Sequence, residues 1–403
     1  MITHDDQTLI EQLMGKTTLT DNVKAESYAY MSNPDGTIRW IYPTHLKKPT
    51  FLNFYSTSSF RAKVLSSLIR LAFFMKQSHR VKSGDLNLTI ADDSPLGNIL
   101  KACTYTGFSI FTGTVGENRK AVVEIHNNDD LFMFVKIALT KTAQTLIQNE
   151  AKILEHLATH DFKALVIPKL LSNNEQDTIG LSNIKPKHFK QDSHLTNVHV
   201  NVLSELYNIT PSQKEWPDLK VFQESKSILH DLLKDYEELN DLKKSRVHVL
   251  ASKLVQLSTL LEESGEKTTV AIAHGDFTPW NMYRTDSTVH LFDWELSQDE
   301  MPLLYDLFHF VFQSEIMIKH SDYTVIYREI VKVMGLESAQ IVRSAFNVEL
   351  STNYMFYLLY TITYYLNKYI KQQDLHEQVF WLMDIWEEAV DDVIAKKGVL
   401  FEK

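Results

Sequence analysis

The sequence predicts an α+β protein of two lobes, a small antiparallel β lobe followed by a larger helical lobe, with a further α+β segment in front of both. Three observations carry this. Between Thr104 and Ile184 the apolar residues come in short runs split by polar turns, the pattern of strands. From Thr196 onward the apolar residues recur at helical spacing, with two short strand-like interruptions. The length, 403 residues, corresponds to two or three units at roughly 100–200 residues each.

The front segment, residues 1–100, contains one strong turn signal. Runs 27–31 and 37–42 flank Asn33-Pro34-Asp35-Gly36. Proline presets φ and glycine accepts positive φ, so the pair reads as a β-hairpin. Residues 61–77 then read as a helix, with Val64, Leu65, Leu68, Leu71, Ala72 and Met75 on one face. Arg61, Lys63, Arg70, Lys76 and Arg80 make it basic. Such a helix can lie on a membrane surface. The expectation is the plainer one: the apolar face packs on its own domain and the basic face is solvated.

Residues 101–188 form the small lobe. Runs 104–112, 121–126 and 131–138 suggest a meander, with Asn127-Asn128-Asp129-Asp130 as a polar turn. A helix follows, its stripe formed by Ile147, Ala151, Leu154 and Leu157. Two more strands are expected near 166–171 and 178–184, which gives five strands and one helix. Residues 189–403 form the helical lobe. Runs 219–233 and 247–261 are helical; 270–273 is a short apolar strand entering His274-Gly275-Asp276, and 289–292 another entering Asp293. Helices resume near Leu303 and continue almost to the end.

Composition narrows the function. A net charge of −10 disfavours a nucleic-acid binder, which usually carries a basic excess. The single cysteine, Cys103, rules out a disulfide within the chain and fits a reducing compartment; with no base beside it, it reads as a small buried residue. The most apolar stretches, 65–75 and 354–366, fall well short of the ~20 residues that span a bilayer. The first residues lack a basic segment followed by an apolar run. The expectation is a cytoplasmic protein with no integral membrane segment.

The informative segment is His274-Gly275-Asp276-Phe277-Thr278-Pro279-Trp280-Asn281, followed by Leu291-Phe292-Asp293-Trp294-Glu295. Phosphoryl transfer to a hydroxyl needs a group that orients the acceptor and can take its proton. It also needs magnesium on the ATP phosphates, and magnesium takes hard oxygen ligands. Asp276 and Asn281 stand five residues apart, and Asp293 follows 12 residues after Asn281, at the end of a strand run. A short hairpin turning at Arg284-Thr285-Asp286-Ser287 would return Asp293 beside Asn281.

These two segments resemble the catalytic loop and metal-binding segment of the aminoglycoside phosphotransferase/choline kinase family. The resemblance covers about residues 105–313 and implies a bilobed protein-kinase-like fold with ATP and Mg2+ as cofactors. It makes Asp276 the catalytic base, Asn281 and Asp293 the magnesium ligands, and His274 and Gly275 supports of the loop. In the small lobe it leads one to seek a glycine turn over the phosphates, a strand lysine and a helix glutamate. Gly113 and Gly116 lie in the turn joining the first two strands of that lobe, although Gly113-Thr114-Val115-Gly116 is no GxGxxG. Lys136 lies in the third strand between Val135 and Ile137, where a lysine needs a partner. Glu150, 14 residues on, is the first candidate and Glu155 the competing one. Leu181-Ser182-Asn183-Ile184 would be the hinge that meets adenine.

The resemblance implies a small-molecule hydroxyl acceptor: a sugar, amino sugar or amino alcohol. Glu295 and Asp306 are open either to contact with a cationic substrate or to capping and surface roles. Trp280 either narrows the acceptor pocket or packs the loop. The aromatic run from Tyr354 to Tyr365 reads as helix core before it reads as a cage for a quaternary amine. Two rival readings remain: a kinase-fold pseudoenzyme that binds nucleotide or a partner without turnover, and a protein kinase or a nucleotidyl-transferring relative. No lysine, base or metal ligand is missing, which disfavours the first. No activation segment is visible between Asp293 and Asp306, which disfavours the second.

Overall fold

The computed structural model describes residues 4–15, 26–53, 60–127, 130–174, 176–234, 241–371, 377–396, 398 and 401. It is an α+β structure, about half helical. The chain divides into two units: residues 1–161 with 167–185, and residues 162–166 with 186–403.

The first unit contains α1 (His4–Met14), β1 (Glu26–Ser32), β2 (Ile38–Pro43), α2 (Phe60–Phe74), β3 (Gly84–Leu88) and α3 (Pro95–Ala102). These are followed by β4 (Gly107–Phe111), β5 (Lys120–Asn127), β6 (Asp130–Ala138) and α4 (Lys141–Leu157). After β7 (Leu165–Val166), which belongs to the second unit, β8 (Leu170–Asn173) and β9 (Thr178–Ser182) complete it. All its strands lie in one antiparallel sheet, in the order β3-β1-β2-β4-β5-β6-β9-β8. The expected runs 104–112, 121–126, 131–138 and 178–184 supply β4, β5, β6 and β9 of this sheet, and residues before 100 add three strands along the edge of β4.

Strand alternation sorts two cores onto the two faces. Ile41, Ile110, Val123, Ile125, Val135 and Ile137 pack with Leu9 and Leu13 of α1 and Leu96 and Leu100 of α3. On the other face Trp40 and Tyr42 pack with Phe51 and with Ile69 and Phe73 of α2. The β1–β2 turn closes as its residues dictate: Gly36 has φ +89°, and Asp35 Oδ1 accepts from the Thr37 amide at 2.9 Å and its hydroxyl at 2.6 Å. Asn128 and Asp129, in the polar turn between β5 and β6, lie outside the described residues.

Two expectations change here. The predicted strand at 166–171 is two strands in different units. Pro168 has no N–H for a ladder, so β7 ends before it and β8 begins after it. The second change concerns α2. Of its predicted inward face, Val64, Leu65, Leu68, Leu71 and Met75 are exposed and Ala72 is half-buried, while Ser66, Ile69 and Phe73 are the residues buried. The helix is apolar on two sides, and spacing alone does not say which one a core will take.

The second unit is mainly helical. It runs through α5 (Asn197–Tyr207), β10 (Ser212–Glu215), α6 (Lys220–Leu232), α7 (Asp241–Glu263), β11 (Lys267–Ala273), β12 (Met282–Arg284), β13 (Val289–Leu291) and β14 (Gln298–Pro302). Then come α8 (Tyr305–Gln313), α9 (Tyr323–Met334), α10 (Glu337–Ala345), α11 (Leu350–Ile370) and α12 (Glu377–Ala395). Two small sheets, β10-β11-β14 and β12-β13-β7, carry the loops between β11 and α8. Tyr354 to Leu359 of α11 are fully buried, so the first half of the aromatic run is core, while Tyr360, Tyr364 and Tyr365 are only partly buried. No helix among the described residues is long and apolar enough to cross a membrane.

Candidate active site

β11 is buried from Val270 to Ala273 and delivers His274 at its end. The next residue must be glycine. Gly275 has φ +82°, and a Cβ there would stand 2.1 Å from the Leu296 carbonyl oxygen. Asp306, in the first turn of α8, is buried beneath this loop. Its carboxylate accepts from the backbone N–H of His274 at 2.7 Å and of Gly275 at 2.9 Å. Burial pushes its pKa up, while the nearby His274 and those two N–H donors pull the other way.

The His274 ring is a second fastener. Its Nδ1 accepts from the Asp276 amide at 3.2 Å, so its Nε2 carries the proton and donates to the Phe292 carbonyl at 3.0 Å. Full burial holds its pKa below the usual histidine value, as a neutral ring requires. The Trp294 ring stands edge-on to it at 4.7 Å and is itself pinned by an indole bond to the Leu291 carbonyl at 3.1 Å.

Pro279 opens a short 3-10 turn ending at Asn281, whose backbone N–H donates to Thr278 O at 3.1 Å. The Asn281 amide then reaches back, with Nδ2 2.8 Å from Asp276 Oδ2 and 3.0 Å from Asp276 O. The β12–β13 hairpin brings the later segment in. It pairs Met282 with Leu291 and Arg284 with Val289, and closes through Thr285 N–H to Thr288 O at 2.9 Å, one residue beyond the expected turn. Outside the ladder the Phe292 N–H donates to Asn281 O at 3.0 Å, so Asp293 follows directly beside Asn281. Asp293 is left-handed, with φ 68° and ψ 59°. Aspartate accepts that conformation better than most residues, at a cost of about 1–2 kcal/mol.

The candidate residues of the first unit also have a defined geometry. Lys136 is 8% exposed in mid-sheet, paired across to Val122 and Ile179. Its Nζ lies 2.5 Å from Oε2 of Glu150, which is fully buried on α4; Glu155 is exposed. Gly113 has φ +74° and would drive a Cβ to 2.1 Å from the Lys120 carbonyl oxygen, whereas Gly116 stands in open space. The Thr140 hydroxyl donates to Glu117 O and caps α4 through the Ala143 N–H, tying the glycine turn to the helix that carries Glu150.

Several side chains differ from expectation. Asp306 is buried under the loop, so it holds backbone rather than substrate. Trp280 is 40% exposed, so it does not pack the loop. Cys103 is half-buried and donates to Ile99 O at 3.3 Å, and burial raises its thiol pKa, which disfavours the thiolate.

Sequence reasoning missed His309. It is buried on α8, its Nε2 lies 3.1 Å from Asp276 Oδ1, and its ring stacks on Tyr305 at 5.8 Å. The signal was present: His309 follows Asp306 by three residues, so one helix face presents both to the loop. Glu295 was placed near the site, but not as a donor. Asp293 and Glu295 offer carboxylate oxygens within 4.8 Å of each other.

A divalent cation fits this donor set. With its Nδ2 committed to Asp276, Asn281 has only its Oδ1 to offer, a hard oxygen, and Asp293 and Glu295 add carboxylate oxygens within 4.8 Å of each other.

No family model matches the chain, and no curated protein matches it. Among solved structures it is similar to the ADP-bound aminoglycoside phosphotransferase APH(2'')-Ib, at 13% identity and a TM-score of 0.44, over 73% of this chain and 95% of that one. It is also similar to the choline kinase LicA from Streptococcus pneumoniae, at 14% identity and a TM-score of 0.45, over 70% and 92% of the two chains. The amicoumacin kinase hAmiN, in complex with AMP-PNP, aligns at 12% identity and a TM-score of 0.44, over 70% and 88%. At such scores the likeness carries no functional weight of its own.

Proposed function

We propose that the chain is a small-molecule kinase of protein-kinase-like fold, transferring the γ-phosphate of ATP to a hydroxyl of a sugar, amino sugar or amino alcohol. The observation that carries this is the loop from His274 to Asn281, in which one carboxylate is held by two side-chain donors and the backbone is clamped from below by another. A chance polar loop has no need of a buried aspartate clamp, a fixed histidine tautomer and a glycine that admits no Cβ.

Asp276 has one carboxylate oxygen held by Asn281 and the other by His309 and is 27% exposed, so its remaining lone pairs can meet an acceptor hydroxyl, align it and take its proton as the bond to phosphorus forms. Asn281 and Asp293 would hold magnesium, with Glu295 as a neighbouring carboxylate. When bound, the ion neutralises phosphate charge. Lys136, its ammonium fixed by Glu150, would meet the nucleotide phosphates, with Gly113 and Gly116 in the turn that approaches them. The buried pair is costly to maintain without a ligand to serve, which supports a nucleotide role for this lysine.

The test is ADP release with ATP and magnesium across a panel of sugars, amino sugars and amino alcohols, with Asp276→Asn as control. Acceptor-dependent release that falls by about 100-fold or more in the variant supports the reading. Equal release from both proteins would remove Asp276 from the mechanism. No release, and no rise in melting temperature with ATP, would remove the kinase.

A further inference from the structure

We propose that α2 is a docking surface for anionic lipid bilayers, an assignment independent of the kinase reading. α2 buries Ile69 and Phe73 against Tyr42 and Phe51 of its own unit, with Phe73 ring centroids 6.0 Å from both. That contact anchors the helix. It leaves the other apolar side outward: Val64, Leu65, Leu68, Leu71 and Met75 are all exposed, Leu68 at 56% and Met75 at 60%, and Phe74 beside them at 85%. Single exposed leucines are ordinary, but a continuous stripe along one helix marks an interaction surface.

Charge identifies the occupant. From Phe51 to Gly84 the chain has no aspartate or glutamate, yet it carries Arg61, Lys63, Arg70, Lys76, Arg80 and Lys82, within a protein of net charge −10. Lys82 is paired with Asp85. Arg70, Lys76 and Arg80 are exposed. A second copy would bring like charges together across the stripe. A bilayer with anionic headgroups complements both features, taking the leucines into the acyl boundary and the cations at headgroup level.

The experiment is co-sedimentation of the full chain with vesicles of pure phosphatidylcholine and of equal parts phosphatidylcholine and phosphatidylserine, with light scattering of the protein alone. The expected result is sedimentation with the anionic vesicles only, weakened by salt. Leu68→Glu and Leu71→Glu should each weaken it by about tenfold or more without lowering the melting temperature. Lys76→Glu with Arg80→Glu should weaken it by about tenfold. Absence of binding to anionic vesicles, equal binding to both vesicle types, or binding indifferent to the leucine substitutions would overturn the proposal. So would a dimer in solution that Leu68→Glu dissociates, since it would make the stripe a contact between copies.

Discussion

The loop at Asp276 and the helix α2 break the usual inside-outside rule in opposite senses. At the loop, His274, Asn281, Asp306 and His309 are polar and buried. On α2, Val64, Leu65, Leu68, Leu71 and Met75 are apolar and exposed. Both arrangements are unfavourable for the isolated chain unless something offsets them. Inside the loop the offset is visible as hydrogen bonds within one unit. On α2 nothing among the described residues supplies it. The difference separates a site built to hold its own geometry from a surface that awaits contact.

The most severe way to break the comparison is Asp306→Ala. It leaves the His274 and Gly275 N–H groups buried without acceptors, at about 1–3 kcal/mol each, and should cost about 3 kcal/mol of stability together with nearly all turnover. Chemical denaturation beside the ADP assay checks this, and a stable, active Asp306→Ala would show that the clamp is incidental.

Acid should open the same region. His199 packs beside Phe277 and Phe310, and burial lowers its pKa to about 4. The unfolded chain therefore binds this proton first, and stability falls as pH drops from about 6.5 towards 4, by up to about 3 kcal/mol in total. Denaturant midpoints across that window should lose this slope in His199→Phe.

A smaller effect is expected at His309. His309→Leu removes a donor to Asp276 and should lower kcat by about tenfold while leaving the KM for ATP near wild type. His309→Gln, which keeps an N–H at similar reach, should recover most of it. Recovery separates orientation of the carboxylate from simple packing. The smallest effect belongs to α2: Leu68→Ser should change stability by no more than about 1 kcal/mol, since more than half of the side chain stays in water in the folded state.

Much of the loop was legible because its chemistry is local. The spacings from Asp276 to Asn281 and to Asp293 are fixed by one turn and one hairpin, and the alternation that put Lys136 between Val135 and Ile137 demanded a partner within reach. What the sequence hid depended on distant packing. Asp306 reads as an ordinary helix-start acid until β11 is seen above it. His309 has no meaning without that contact. The outward side of α2 could not be told from its inward side, because Ile69 and Phe73 make an equally good stripe. The split of residues 166–171 was signalled by Pro168, but only the sheets show that the halves serve different units.

The sheet of the first unit has a consequence for anyone shortening the chain. β2 hydrogen-bonds along β4, and α1 with α3 roofs the face formed by Ile110, Val123 and Val135. A protein started at residue 101 would not be a smaller version of the same unit. It would carry a raw strand edge and an unroofed apolar floor, and it should aggregate more readily than the full chain.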